Sequence, residues 1–220
     1  KTLNLIEECW AAITTTLTDT KTGLLLNDDL GTNLIPAQNP HMHLYEACLQ
    51  ANRMTSGAVW LDRAKDFRAN GVRHFMDQKS GSITEFITPE LQPLAGAEGM
   101  RREVGHQCEW AWLMLEEADL AKNPTLKTTA ARLMAFANRS GFAENGLLEG
   151  AAFDAVSTDN SVVENSFLLW PQTEAIKIFA VQYTMGDAQA GERARNLMCL
   201  MFDQWFEQRP SYINRLDLEG

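Results

Sequence analysis

QNPHMHLYEACL, residues 38–49, sets a proline just inside a helix start, then two histidines and a glutamate within two turns. Two later stretches align with it, GHQCEWAWL at 105–113 and LWPQTEAIK at 169–177. In register on His43, His106 and Pro171, each carries a glutamate three residues on: Glu46, Glu109 and Glu174. These glutamates lie 63 and 65 residues apart. A period of about 64 residues, spent on two helices and an extended insert, is the signature of a helix-pair array.

Working outward, apolar spacing predicts helices over 4–17, 39–54, 58–77, 105–121, 126–139, 170–185 and 187–208. Short extended pieces are expected at 83–88, 146–155, 162–170 and 211–218. The helices after each insert (39–54, 105–121, 170–185) are apolar around most of their circumference, as in EWAWLMLEEA and EAIKIFAVQY. Their partners, such as DRAKDFRANGVRHF and GERARNLMCLMFDQW, have one charged face. All-round apolar helices are buried and one-faced helices form a wall. The expected fold is therefore all-α: an α/α toroid, here an incomplete barrel of about three and a half helix pairs with short β inserts, forming one domain over 1–220. The chain opens on a helical pattern without an initiator methionine, which predicts a piece of a longer protein.

Composition narrows the function. The chain has 220 residues, 45% hydrophobic and 22% charged, with a formal net charge of -10. That balance repels phosphate backbones and anionic lipid, so neither nucleic acid nor membrane is expected as a partner. No apolar run approaches the roughly 18 residues that span a bilayer. The four cysteines (Cys9, Cys48, Cys108, Cys199) show no CxxC or zinc-like spacing. They read as small core hydrophobes in a reducing, cytoplasmic compartment.

Residues three apart on a helix share a face, so His43 with Glu46 and His106 with Glu109 point the same way from first turns. If the inner helices run parallel, their amino ends converge, gathering unpaired N–H groups and positive dipole ends. Such a place suits an oxyanion and keeps imidazole neutral and able to accept a proton. It fits proton abstraction beside a carbonyl, with an enediolate stabilised electrostatically. His41, two residues from His43, falls on another face and reads as structural; His74 reads as solvated. Trp170 reads equally as a sugar-stacking platform or as core packing. Asn39 and Pro40 carry helix-start chemistry, and Asn39 shares the His43 face, where its amide can reach a ligand hydroxyl. There is no HExxH, so no metal is expected. A glycosidase using Glu46, Glu109 or Glu174 ranks low, because it leaves the aligned histidines without a task.

On QNPHMHLYEACL, GHQCEWAWL and LWPQTEAIK, with ITEFITPELQPL and YINRLDLEG in support, the sequence resembles the N-acylglucosamine 2-epimerase superfamily. That group includes cellobiose 2-epimerase and the mannose and sulfoquinovose isomerases. The resemblance implies an (α/α)6 barrel and cofactor-independent proton transfer at C2 of a sugar. It implies that His106 is a catalytic acid/base and Glu109 its partner, with Asn39, His43, Glu46, Trp170 and Glu174 in the sugar pocket. The family's second catalytic histidine and a substrate-binding arginine fall outside these 220 residues, so the chain alone is expected to be inactive and its parent active. LWPQTEA and the NRLD ending lean toward the mannose-isomerase branch. The expected activity is aldose–ketose isomerisation of a mannose-like sugar; the alternative is an N-acylglucosamine or disaccharide 2-epimerase. The expected partner is a small sugar, and a homodimer is left open.

Overall fold

The computed structural model describes residues 2–207 and 211–217. Its helices are α1 (Thr2–Thr16), α2 (Asn39–Thr55), α3 (Ala58–Phe75), α4 (Gly96–Met100), α5 (Val104–Leu120), α6 (Thr125–Ser140), α7 (Leu169–Thr184) and α8 (Ala188–Met201). A π-helical turn, Phe202–Phe206, continues α8. The strands are very short: β1 (Met76–Asp77), β2 (Ser82–Ile83), β3 (Arg101–Glu103), β4 (Ala155–Ser157), β5 (Val162–Glu164), β6 (Phe167–Leu168) and β7 (Arg215–Leu216). None of the described helices is long and apolar enough to cross a membrane.

The chain divides into two compact units, Lys1–Met76 with Thr84–Gly99, and Asp77–Ile83 with Met100–Gly220. In the first unit, α2 packs on α3. Its buried residues, His41, Met42, Tyr45, Cys48 and Leu49, recur at one-turn spacing and form a single face. The expectation that α2 is buried all round is corrected: Ala47 and Gln50 are exposed, and Met54 is 81% exposed. Helix α1 docks through Trp10, which meets Trp60 and Phe67 edge-on. The Arg63 guanidinium lies over both Trp10 and Trp60 and pairs with Glu7. Cys9 and Cys199 are exposed, so only Cys48 and Cys108 behave as the expected core hydrophobes.

His41 shows how a histidine is held in this core. It is fully buried; the Leu25 backbone N–H donates to its Nε2 at 3.1 Å, and its Nδ1 lies 3.3 Å from the Ala37 carbonyl oxygen. An N–H only donates and a carbonyl only accepts, so the ring is neutral with its proton on Nδ1. Burial pushes its pKa down to about 4, against a backbone hydrogen bond that raises it. The unfolded chain therefore binds a proton that the folded chain refuses, and stability present above pH 6.5 is lost as pH falls toward 4. The expected loss is on the order of 3 kcal/mol by pH 4. Urea midpoints from pH 7 to 4 check this: the fall should flatten in His41→Gln relative to wild type. His74 is half-buried rather than solvated, and burial, aided by Arg73, lowers its pKa.

In the second unit α5 packs on both α6 and α7, and α7 on α8. With neighbours on two sides, fourteen of the 17 residues of α5 are buried, the all-round burial its composition predicts. The contact of His106 with Trp170 near both helix starts, and of Trp112 with Glu174 a turn or more later, shows α5 and α7 running side by side in the same direction. Strands β3, β4 and β5 form an antiparallel sheet, with Arg101, Arg102 and Glu103 opposite Ser157, Val156 and Ala155. Strands β6 and β7 pair separately. β3 runs straight into α5 and β6 straight into α7, so the strand ends fix where those helices begin.

A repeated side-chain latch secures both junctions. Gln107 accepts from the Ile83 N–H at 2.8 Å and donates to the Ile83 carbonyl at 3.0 Å. Gln172 does the same to Ala152, at 2.7 and 2.9 Å. Each buried amide thus satisfies one backbone donor and one acceptor in the preceding insert, as a neighbouring strand would. The extended pieces differ accordingly from expectation. Residues 84–88 make only isolated bridges, and 146–155 is mostly turns that reach strand at Ala155. β3 and α4 were not anticipated, and the regular part of the last helix ends at Met201.

Candidate functional site

The second unit builds a site at the junction of β3 with α5. Glu103 is both the last residue of the strand and the residue that precedes the first turn of α5. His106 follows in that turn, its side chain 12% exposed. The Glu103 Oε2 lies 3.2 Å from His106 Nδ1. The other oxygen of Glu103 accepts from Arg101 Nη1 at 2.7 Å, and Arg101 Nη2 reaches Glu164 at 2.6 Å. Burial alone would lower the Arg101 pKa, but its hydrogen bonds to Glu103 and Glu164 carry it above the ordinary value.

From α7, Trp170 lays its ring against the imidazole, centroids 4.8 Å apart and planes tilted by 41°. Gly105 permits this approach. A Cβ built there would sit 2.4 and 2.5 Å from Trp170 Cζ3 and Cη2, and 3.0 Å from the Pro171 Cα. Any side chain at 105 would therefore collide with the tryptophan and crowd the backbone behind it. Trp170 itself is half-buried.

The remaining expected residues fall as follows. Glu109, one turn beyond His106, is 4% exposed. Glu174 is 8% exposed and accepts from the Trp112 indole at 2.8 Å and from Lys177 at 2.9 Å. Lys177 also lies over the Trp112 ring. In the first unit, Asn39 is exposed as the first residue of α2; Gln38, not Asn39, is the capping position, and Pro40 lies in the first turn. The Gln38 amide does not cap the helix but donates to buried Glu85 at 3.0 Å. His43 is 57% exposed at its side chain, with Nδ1 3.9 Å from Glu46 Oε2, longer than a hydrogen bond. The second unit thus brings His106, Glu103, Arg101 and Trp170 together, and separately Glu174, Trp112 and Lys177.

Glu103 and Arg101 were missed from sequence. ArgArgGlu at 101–103 is too short and too polar to announce a strand. The signal was spacing: Glu103 precedes His106 by the same three residues by which Glu109 follows it. The recurring glutamine of GHQCE and WPQTE was equally visible. Chemically, an imidazole backed by a carboxylate, at the positive end of a buried helix and beside an indole face, can in its neutral form take a proton from carbon and return it.

The model of the N-acylglucosamine 2-epimerase (GlcNAc 2-epimerase) family matches residues 1–214. A mannose-6-phosphate isomerase of Rhizobium meliloti (strain 1021) is 34% identical over 142 residues, 63% of this chain and 36% of that protein. The crystal structure of a D-mannose isomerase superposes with a TM-score of 0.81 over 98% of this chain and 58% of that one, at 21% identity. A sugar epimerase from a ruminal bacterium superposes with a TM-score of 0.77 over 99% and 58%, at 18% identity. At these identities the solved structures establish the fold, the helix-pair (α/α)6 class that the family resemblance implies. The chain spans about a third of the curated relative's length and somewhat over half of each solved relative's.

Proposed function

The chain belongs to the N-acylglucosamine 2-epimerase family, and on that footing we propose that it carries the proton-transfer side of an aldose–ketose isomerase acting on a mannose-like sugar. The observation that supports this most is the setting of His106: Nδ1 on Glu103, the ring against Trp170, at the start of the most buried helix.

In this reading, His106 Nε2 takes the proton from C2 of the open-chain aldose. The electron pair moves toward the C1 carbonyl, giving an enediolate whose charge is stabilised by the positive end of α5. The proton then returns at C1, giving the ketose. Glu109, on the His106 face, carries the hydroxyl proton between O2 and O1. In the second unit Trp170 and Glu174 hold the sugar, Glu174 through a carboxylate already fixed by Trp112 and Lys177; in the first unit the sugar-binding residues are Asn39, His43 and Glu46. No cofactor is required, because an enediolate needs only acid, base and electrostatic support. The free, dispersed cysteines favour a cytoplasmic setting.

The second reading, a sugar 2-epimerase, is favoured by the likeness to the ruminal epimerase. The two differ only in where the proton returns: C1 for an isomerase, the opposite face of C2 for an epimerase. Incubation of mannose with the full-length protein, followed by 1H NMR, separates them. The expected product is fructose; a C2-inverted aldose without ketose would move the assignment to the epimerases.

A further inference from the structure

We propose that Glu103 is a positioning residue that fixes the tautomer of His106, and that a chain of alternating charges holds Glu103 in place and returns to the same imidazole through Trp170. The proposal rests on the reading of His106 as the proton carrier.

The geometry runs in one connected path inside the second unit. An ionised carboxylate only accepts, so the 3.2 Å approach of Glu103 Oε2 assigns the ring proton to Nδ1. In the neutral ring Nε2 is then the nitrogen with the lone pair, since the tautomer is set by the bond the other nitrogen makes. The backbone of Glu103 is set by its register opposite Ala155. Its second oxygen is held by Arg101 at 2.7 Å, and Arg101 bridges to Glu164 with Nη2 at 2.6 Å and Nε at 2.8 Å. Arg215 Nη2 continues the path, 3.9 Å from Glu164 and 3.4 Å from Asp154.

Asp154 closes it. Its carboxylate is buried, accepts from the Ser166 hydroxyl, and takes the Leu168 N–H at 2.6 Å. Leu168 is the residue from which α7 starts, and Trp170 of that first turn lies on the His106 ring. The imidazole is thus held on one side by Glu103 and on the other by an indole whose helix start is tied to the same ion path. Arginine suits the central place because its planar fork engages two carboxylates at once.

Glu103→Gln is the informative change, since it preserves shape and puts an N–H donor where only an acceptor stood. Glutamine presenting that donor to Nδ1 forces the proton onto Nε2, the wrong nitrogen for taking a proton from carbon. The test is 15N–1H long-range correlation NMR of the ring nitrogens at pH 8, with His106 assigned by the signal lost in His106→Gln. Wild-type His106 is expected as the Nδ1–H tautomer, Glu103→Gln as the Nε2–H tautomer or a mixture, and Glu103→Asp as largely Nδ1–H. A wild-type Nε2–H ring overturns the proposal without any variant, as does a Glu103→Gln spectrum in which the His106 nitrogens are unmoved. The buried His41 signals report whether the variant is folded. In the full-length protein, Glu103→Gln is expected to lower kcat by about 10²–10⁴-fold, the scale of a mis-set histidine tautomer, with little change in KM. A changed tautomer with unchanged turnover leaves the positioning role intact and refutes His106 as the proton carrier, so the two failures are distinguishable.

Discussion

His106→Ala in the full-length protein is expected to lower the rate of C2 proton exchange of mannose by about 10²–10⁴-fold, the usual contribution of one acid/base group. Substrate affinity should change little, because an imidazole that meets carbon-bound hydrogen acts mainly in the transition state. Exchange is read from loss of the C2–H signal in D2O, and affinity from the concentration dependence of that loss. The fold should survive, since the side chain sits at the edge of a helix whose next residues are wholly buried. A variant that exchanges C2–H at the wild-type rate would remove His106 from the chemistry. His43→Ala serves as the contrast. That side chain is more than half exposed and its contact with Glu46 is loose, so its loss should appear chiefly in KM.

Gly105→Ala is the second large effect, and here two opposing terms must be compared. Glycine in a helix is about 1 kcal/mol worse than alanine, so propensity alone favours the change. Against it, the new methyl would lie 2.4 Å from the Trp170 ring and 3.0 Å from the Pro171 Cα. The ring can swing, but the backbone of α7 is held by the Gln172 latch and by Asp154. Overpacking of this kind costs about 1–3 kcal/mol, so the net result should be destabilising. The displaced indole should also leave His106 and lower turnover. A double-mutant cycle isolates the cause: in a Trp170→Ala background most of the stability penalty of Gly105→Ala should disappear. An equal penalty in both backgrounds would place the strain elsewhere.

Much of the architecture could be read from residues close in sequence. The helix pairs follow from apolar spacing, and α5 is buried all round because EWAWLMLEEA has few polar positions to turn toward water. The same composition misleads at α2. Ala47 and Met54 are apolar yet exposed, because burial depends on which neighbours a helix has and not on its residues alone. The aligned His106, Glu109 and Glu174 were legible as a repeat. The carboxylate beside the imidazole was not, since Glu103 belongs to a three-residue strand whose partner, Ala155, lies some fifty residues on. Glu174 illustrates a half-visible case. Its bond to Lys177, one turn away, follows helical spacing, whereas its bond to Trp112 on another helix does not.

Labelled product decides the central claim, that the protein moves a solvent-exchangeable proton from C2 by way of an enediolate. Unlabelled mannose is turned over by the full-length protein in D2O, and the C1 position of the fructose is read by NMR. Proton transfer through His106 predicts that solvent deuterium enters C1. Fructose free of solvent deuterium, together with quantitative transfer of a C2 label to C1 in a companion run with 2-deuteromannose, would mean a direct hydride shift and would contradict the account.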